Sequence, residues 1–164
     1  MRFEVTRRSF PLGNDFIIRN DTGAECYFVD GRAVSLRHKL LFLDMDGDLL
    51  AVIRHRLVSW GTTWLVIRKG NERARIRKNV FPVHRHRFDV TTTGALHMVV
   101  RGDFHGREFV LRRFENQHQL ARVSSHWGEK RAAYSVEMSD EADPVLILST
   151  CVAIDLTLHD ELPR

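Results

Sequence analysis

Apolar and polar residues alternate with a period of two along most of the chain, and clusters of turn-forming residues interrupt the alternation at short intervals. Successive side chains of a strand point to opposite faces, so this pattern predicts short antiparallel strands with one face buried and the other in water. Four interruptions read as hairpin turns: Asn20-Asp21-Thr22-Gly23 before AECYFV, Asp44-Met45-Asp46-Gly47-Asp48 before LLAVI, Lys69-Gly70-Asn71-Glu72 before RARI, and Glu115-Asn116-Gln117-His118 before QLARV. The strands match one another at fixed offsets. At 70 residues, Leu41 matches Leu111, Leu50 matches Leu120, Ala51 matches Ala121, Trp64 parallels Tyr134 and Val66 matches Val136. At 93 residues, Phe16-Ile17-Ile18-Arg19 returns as Phe109-Val110-Leu111-Arg112. An internal repeat accounts for these matches better than chance alternation.

The pattern changes after Ser139-Asp140-Glu141-Ala142-Asp143. Pro144 is followed by VLILSTCVAIDLTLH, which has neither turn residues nor alternation. Asp143 suits an N-cap and Pro144 the first helical position, so a helix is predicted over about 144–158. Its apolar residues cover every face, so protein must enclose it on all sides. Fourteen residues span only about 21 Å against a hydrocarbon core of roughly 30 Å, and Asp155 interrupts them, so burial in protein is expected rather than a membrane span. Strands that must enclose an apolar helix have one natural arrangement, a closed antiparallel barrel wrapped around it. Such a barrel has no empty lumen, and a binding site belongs on its outer surface or loops. Asp155 then needs a partner from the barrel wall, because an isolated buried charge is prohibitively costly.

The hairpins, the FLDMDGDLLAVIRHRLVSW segment, the strand from Trp64 to Ile67, the ARVSSHWGEKRAAYSVEM segment and the closing DPVLILSTCVAIDL helix together resemble the LURP-one-related family. That family belongs to the tubby-like and phospholipid-scramblase superfamily. The resemblance runs from about Phe10 to Leu158 and implies a twelve-stranded barrel of two repeats around a buried C-terminal helix, as one tubby-like domain over 1–164. For function it implies an adaptor or binding protein and, by analogy with tubby proteins, phosphoinositide headgroups as ligands.

Composition narrows the classes. The 164 residues are 43% hydrophobic and 28% charged, which fits one folded domain and excludes a disordered chain. Cys26 and Cys151 are far apart and form no CxxC pair, which excludes a disulfide scaffold and a cysteine-based zinc module and points to a reducing cytoplasm. The start, MRFEVTRRSF, carries charge where a signal segment would be apolar. There is no G-x-S-x-G elbow, P-loop or G-x-G-x-x-G, so no catalytic residue is assigned and the expectation is a non-enzymatic protein without a cofactor.

Metal sites fare no better. Asp44-x-Asp46-Gly47-Asp48 puts glycine fourth and His55 twelfth where a calcium loop needs glycine sixth and a glutamate twelfth, so it reads as a turn. Asp140, Glu141 and Asp143 read as helix-capping acids. His84-x-His86 places two rings on one strand face with no third ligand nearby, and His55 shares a face with Ala51 and Ile53; both read as partly buried, hydrogen-bonded histidines.

Charge supplies the remaining signal. Net charge is +4, and arginine makes up 21 of the 25 basic residues. Guanidinium groups make forked hydrogen bonds to phosphate, which suits anionic partners. Arg54 and Arg56 share a face; Arg73, Arg75 and Arg77, followed by Lys78, alternate with Ala74 and Ile76; Arg85 and Arg87 alternate with His84 and His86. If those three stretches are neighbours, they form a basic patch. The expected function is peripheral binding of anionic phospholipid headgroups at a membrane surface. The alternatives are a protein-interaction scaffold with an unknown partner, or nucleic-acid binding on the same face, which the low aromatic content of 9% disfavours.

Overall fold

The computed structural model describes residues 1–11, 13–31, 39–58, 61–79, 87–125 and 133–161. Twelve strands follow one another: β1 (Arg2–Phe10), β2 (Gly13–Asn20), β3 (Glu25–Asp30), β4 (Lys39–Asp44), β5 (Leu49–Val58), β6 (Gly61–Arg68), β7 (Asn71–Asn79), β8 (Arg87–Thr92), β9 (His97–Asp103), β10 (Glu108–Arg113), β11 (Gln119–Ser125) and β12 (Ala133–Met138). Among the described residues one helix, α1 (Pro144–Glu161), follows the strands. Each strand pairs antiparallel with its sequence neighbours, and β1 also pairs with β12, so the sheet closes into a barrel with no free edge.

The alternation predicted from the sequence sorts side chains across this wall. Val5, Phe16, Ile18, Val29, Phe42, Ile53, Val66, Ile76, Val90, Val100, Leu111, Val123 and Val136 all point inward and are fully buried. The four predicted hairpin turns are present, as connections β2–β3, β4–β5, β6–β7 and β10–β11. Two are held by one device, a side-chain oxygen that collects successive backbone N–H groups. Asn20 Oδ1 accepts from the amides of Thr22 at 3.0 Å and Ala24 at 2.9 Å; Asp44 Oδ1 accepts from Asp46 at 3.0 Å and Asp48 at 2.9 Å. Gly47, with φ at +87°, takes the left-handed position in the second.

The helix fills the barrel. Asp143 Oδ1 accepts hydrogen bonds from the amides of Val145 at 3.0 Å and Leu146 at 3.3 Å, so the predicted N-cap is in place. Residues from Ile147 to Thr157 are buried on every side, and α1 continues three residues beyond the predicted limit, to Glu161. The hydroxyls of Thr150 and Thr157 donate back to the carbonyls of Leu146 and Ala153, at 2.9 and 2.8 Å, which lets them lie in the core. Among the described residues no helix is long and apolar enough to cross a membrane.

One sequence match is corrected. Ala51 and Ala121, like Trp64 and Tyr134, do occupy equivalent inward positions, but Leu41 does not correspond to Leu111. Phe42 faces Ala51 across β4–β5, whereas Leu111 faces Ala121 across β10–β11, so the second hairpin holds one more residue and Phe42 is the counterpart of Leu111. Leu41 points outward.

Candidate anion-binding groove

With α1 inside the barrel, a ligand must be met from outside. On β7 the residues Ala74 and Ile76 are buried, which turns Arg73, Arg75 and Arg77 outward. On β8 the same parity turns Arg87, Asp89 and Thr91 outward around buried Phe88 and Val90. Register sets them side by side: Arg75 faces Thr91, Arg77 faces Asp89 and Asn79 faces Arg87. Together with His97 on β9 these residues line a groove of about 540 Å3 on the outer face of the barrel.

The predicted basic residues fall into three groups. Arg75, Arg77, Lys78 and Arg87 line the groove. Lys78 departs from the expected face: its register partner is buried Phe88, so it has the inward parity of Ile76 and reaches the groove only at the barrel's end. Arg73 continues the outward row of β7 outside the groove. Arg54 and Arg56 are not on a strand adjacent to β7, because β6 intervenes. They remain in line with it, since Arg54 and Arg75 are both register partners of Leu65, and Arg56 and Arg77 both of Thr63. Leu65, between Arg54 and Arg75 in register, is only 3% exposed. Arg85, with His84 and His86, lies outside the described residues.

The groove's cations differ in how they are held. Arg75 Nε is 3.0 Å from Glu72 Oε1 and its Nη2 is 3.3 Å from Oε2. Arg87 Nη2 lies 3.3 Å from Asp89 Oδ1. Arg54, Arg56, Arg73 and Arg77 have no ion-pair partner among the described residues. At the rim, Phe114 is 49% exposed and stacks on the His97 ring with centroids 4.8 Å apart.

Sequence reasoning missed Asp89, His97 and Arg101. Arg101 is exposed directly across from Arg87. Its signal was masked by the run Met98-Val99-Val100, in which Val99 faces outward but is 4% exposed, so alternation is lost there.

The family model for LURP-one-related proteins matches residues 1–155. This chain belongs to the LURP-one-related family. The X-ray structure of a protein from Arabidopsis thaliana is similar to it in fold, with a TM-score of 0.68 at 18% identity, covering 94% of this chain and 90% of that one. Comparison with curated proteins finds no match.

A second polar cluster in this LURP-one-related barrel lies inside. Asp155, 5% exposed, is gripped by two guanidinium groups: Arg7 Nη1 of β1 at 2.9 Å and Arg107 Nη2 of the β9–β10 turn at 3.0 Å. This is the barrel-wall partner that the sequence demanded. The Arg107 guanidinium carbon also sits 5.7 Å from the centre of the Tyr134 ring. Burial pushes the Tyr134 phenol well above its ordinary value, and the Asp155 charge adds to the effect. The space left among these groups is about 10 Å3, too small for a ligand.

The acidic motifs are consumed locally. Asp44 closes its turn, Asp143 caps α1 and pairs with Arg68 at 2.7 Å, and Glu141 meets His118 at 2.8 Å. Among the described residues no group of three or more His, Cys, Asp or Glu side chains is placed to hold a metal ion. His55 packs against Trp64 with ring centres 4.7 Å apart.

Proposed function

We propose that this LURP-one-related chain is a non-enzymatic binding module that docks peripherally, from the cytoplasmic side, on anionic phospholipid headgroups, phosphoinositides among them. The observation that carries this reading is the groove on β7–β9. It concentrates outward-facing Arg75, Arg77 and Arg87, with Lys78 also in its lining, on a barrel whose interior is already full. Arg54 and Arg56, which have no ion-pair partner among the described residues, extend the positive field along the same rows, where charges of like sign attract counter-ions and acidic surfaces. Exposed Phe114 at the rim suits the interfacial zone of a bilayer, where aromatic rings partition. The other reading, a scaffold for a protein partner, rests on no comparable feature.

The test is vesicle co-sedimentation with neutral, phosphatidylserine and phosphoinositide vesicles at low and physiological salt. Binding to the acidic vesicles alone, weakened by salt and reduced at least about tenfold in the Arg75→Ala, Arg77→Ala double variant, is expected. Absence of binding to every vesicle overturns the proposal in favour of the scaffold.

A further inference from the structure

Beyond the groove, the outward face of β9–β11 carries a second cluster of cations. Arg101 on β9, Arg112 on β10 and Arg122 on β11 are all exposed. Buried Met98 and Val100, Phe109 and Leu111, and Ala121 and Val123 fix their outward parity. Register gathers the three around one residue: Val110 is the partner of Arg101 on one side and of Arg122 on the other, and Arg112 is the next outward position after Val110. Arg101 and Arg122 thus lie two strands, about 10 Å, apart. Arg101 also faces Arg87 across β8–β9, so the cluster adjoins the groove.

None of the three has an ion-pair partner among the described residues. The acids nearest in register are engaged elsewhere. Glu137, opposite Arg122, lies 3.9 Å from Arg2; Glu108 Oε1 accepts from the Ser125 amide at 3.0 Å, and Asp103 Oδ1 from the Gly106 amide at 3.0 Å. Across the barrel the charges cancel instead, since Arg19 pairs with Glu25 at 2.8 Å and faces Glu4. Like charges gathered on β9–β11 repel one another in the free protein, and an acidic partner turns that cost into attraction. The outer wall of a closed barrel is convex, so the three guanidinium groups present a surface rather than a cradle. Phe114, just past the end of β10 and 49% exposed, continues the outward row of Val110 and Arg112 and stacks on His97. An acidic bilayer supplies a partner for both features: a sheet of negative headgroups for the cations, and an interfacial zone for the ring.

We propose that Arg101, Arg112 and Arg122 form a second contact surface that lays the β9–β11 face of the barrel on an acidic bilayer, beside the groove. The proposal rests on the membrane reading above and adds an orientation to it, with β7–β11 toward the membrane and β1–β3 away from it. The groove takes an individual headgroup, whereas the triad responds to the charge density of the surface.

The probe is phosphatidylcholine vesicles carrying phosphatidylserine and no phosphoinositide, at low and physiological salt. The Arg101→Ala, Arg112→Ala, Arg122→Ala variant is expected to bind them at least about tenfold more weakly at low salt, because each arginine near an acidic surface contributes about fivefold. Lysine at the same three positions keeps the charge and should bind within about threefold of wild type. The charge-matched control Arg2→Ala, Arg8→Ala, Arg19→Ala, on β1 and β2, should also stay within about threefold; a loss equal to that of the triad variant assigns the effect to net charge and overturns the proposal. Thermal denaturation is expected to show unchanged midpoints for the triad variants, whose side chains are exposed and unpaired among the described residues. Calorimetry with soluble inositol trisphosphate at physiological salt separates triad from groove: the triad variant should keep its affinity within about threefold, and the Arg75→Ala, Arg77→Ala variant should lose it. Vesicle binding that is unaltered in the triad variant but lost in the Arg75, Arg77 variant overturns the proposal and leaves the groove reading intact. A triad variant that loses only binding to a single-stranded oligonucleotide overturns it in favour of nucleic acid, and a wild-type protein that binds no vesicle overturns both readings.

Discussion

Arg7 and Asp155, 148 positions apart in the chain, meet inside the barrel with guanidinium Nη1 2.9 Å from carboxylate Oδ2. The contact ties the first strand to the last turns of the central helix, and Arg107 completes it from the opposite oxygen. A partly buried carboxylate shared by two arginines cannot be removed without leaving both short of their common counter-ion. Asp155→Ala is therefore expected to lower unfolding free energy by about 3 kcal/mol, read from urea denaturation. Vesicle binding should be unchanged, because the cluster faces the core and not the groove. An unaltered midpoint, or a selective loss of binding, would contradict this assignment.

A second tie lies further along the same helix. Trp64 Nε1 donates to Thr157 Oγ1 at 2.9 Å, and that hydroxyl donates to the Ala153 carbonyl at 2.8 Å. Thr157→Val keeps the shape but strands a buried indole N–H, at an expected cost of about 2 kcal/mol, whereas Thr157→Ser should recover most of it. Denaturation followed by tryptophan fluorescence measures both.

The cysteines should separate cleanly by reactivity. Cys26 is partly exposed, whereas Cys151 is enclosed in α1, where burial pushes its thiol well above the ordinary value and the Asp155 charge adds to the shift. The thiolate is the reactive species, so native protein should take up one equivalent of an alkylating reagent at pH 8 and denatured protein two. The same burial has a thermodynamic sign. Cys151 and Tyr134 are held neutral in the fold above their unfolded values of 9.0 and 10.0, so the unfolded chain loses protons first as pH rises. Their contribution is intact below pH 9 and is lost progressively above it, and stability measured from pH 7 to 11 should decline accordingly.

Local rules made much of this architecture legible. Alternation marked the strands, Asp143 and Pro144 marked the start of α1, and an all-round apolar helix required a closed wall. The mismatch at Leu41 shows where such rules stop. One extra residue in a hairpin exchanges the two faces of a strand, and similarity of sequence at a fixed offset does not register it. The groove was visible only in pieces. Each arginine's outward face followed from its own strand, but the order β5–β6–β7–β8 separates Arg54 and Arg56 from the groove, and no local pattern encodes that order. Asp89 and Arg101 gain their meaning from cross-strand neighbours on β7, β8 and β9, which pairing alone supplies.

The central claim is that anionic headgroups bind on the outside of the barrel, at β7–β9. Backbone amide chemical-shift mapping with a short-chain phosphoinositide tests it most directly. The account predicts saturable shifts centred on Arg75, Arg77, Asp89 and His97, with Val152 and Asp155 of the core unmoved. Shifts centred elsewhere, around Arg2 and Arg19 on β1 and β2 across the barrel for example, or no shifts at all, would contradict it.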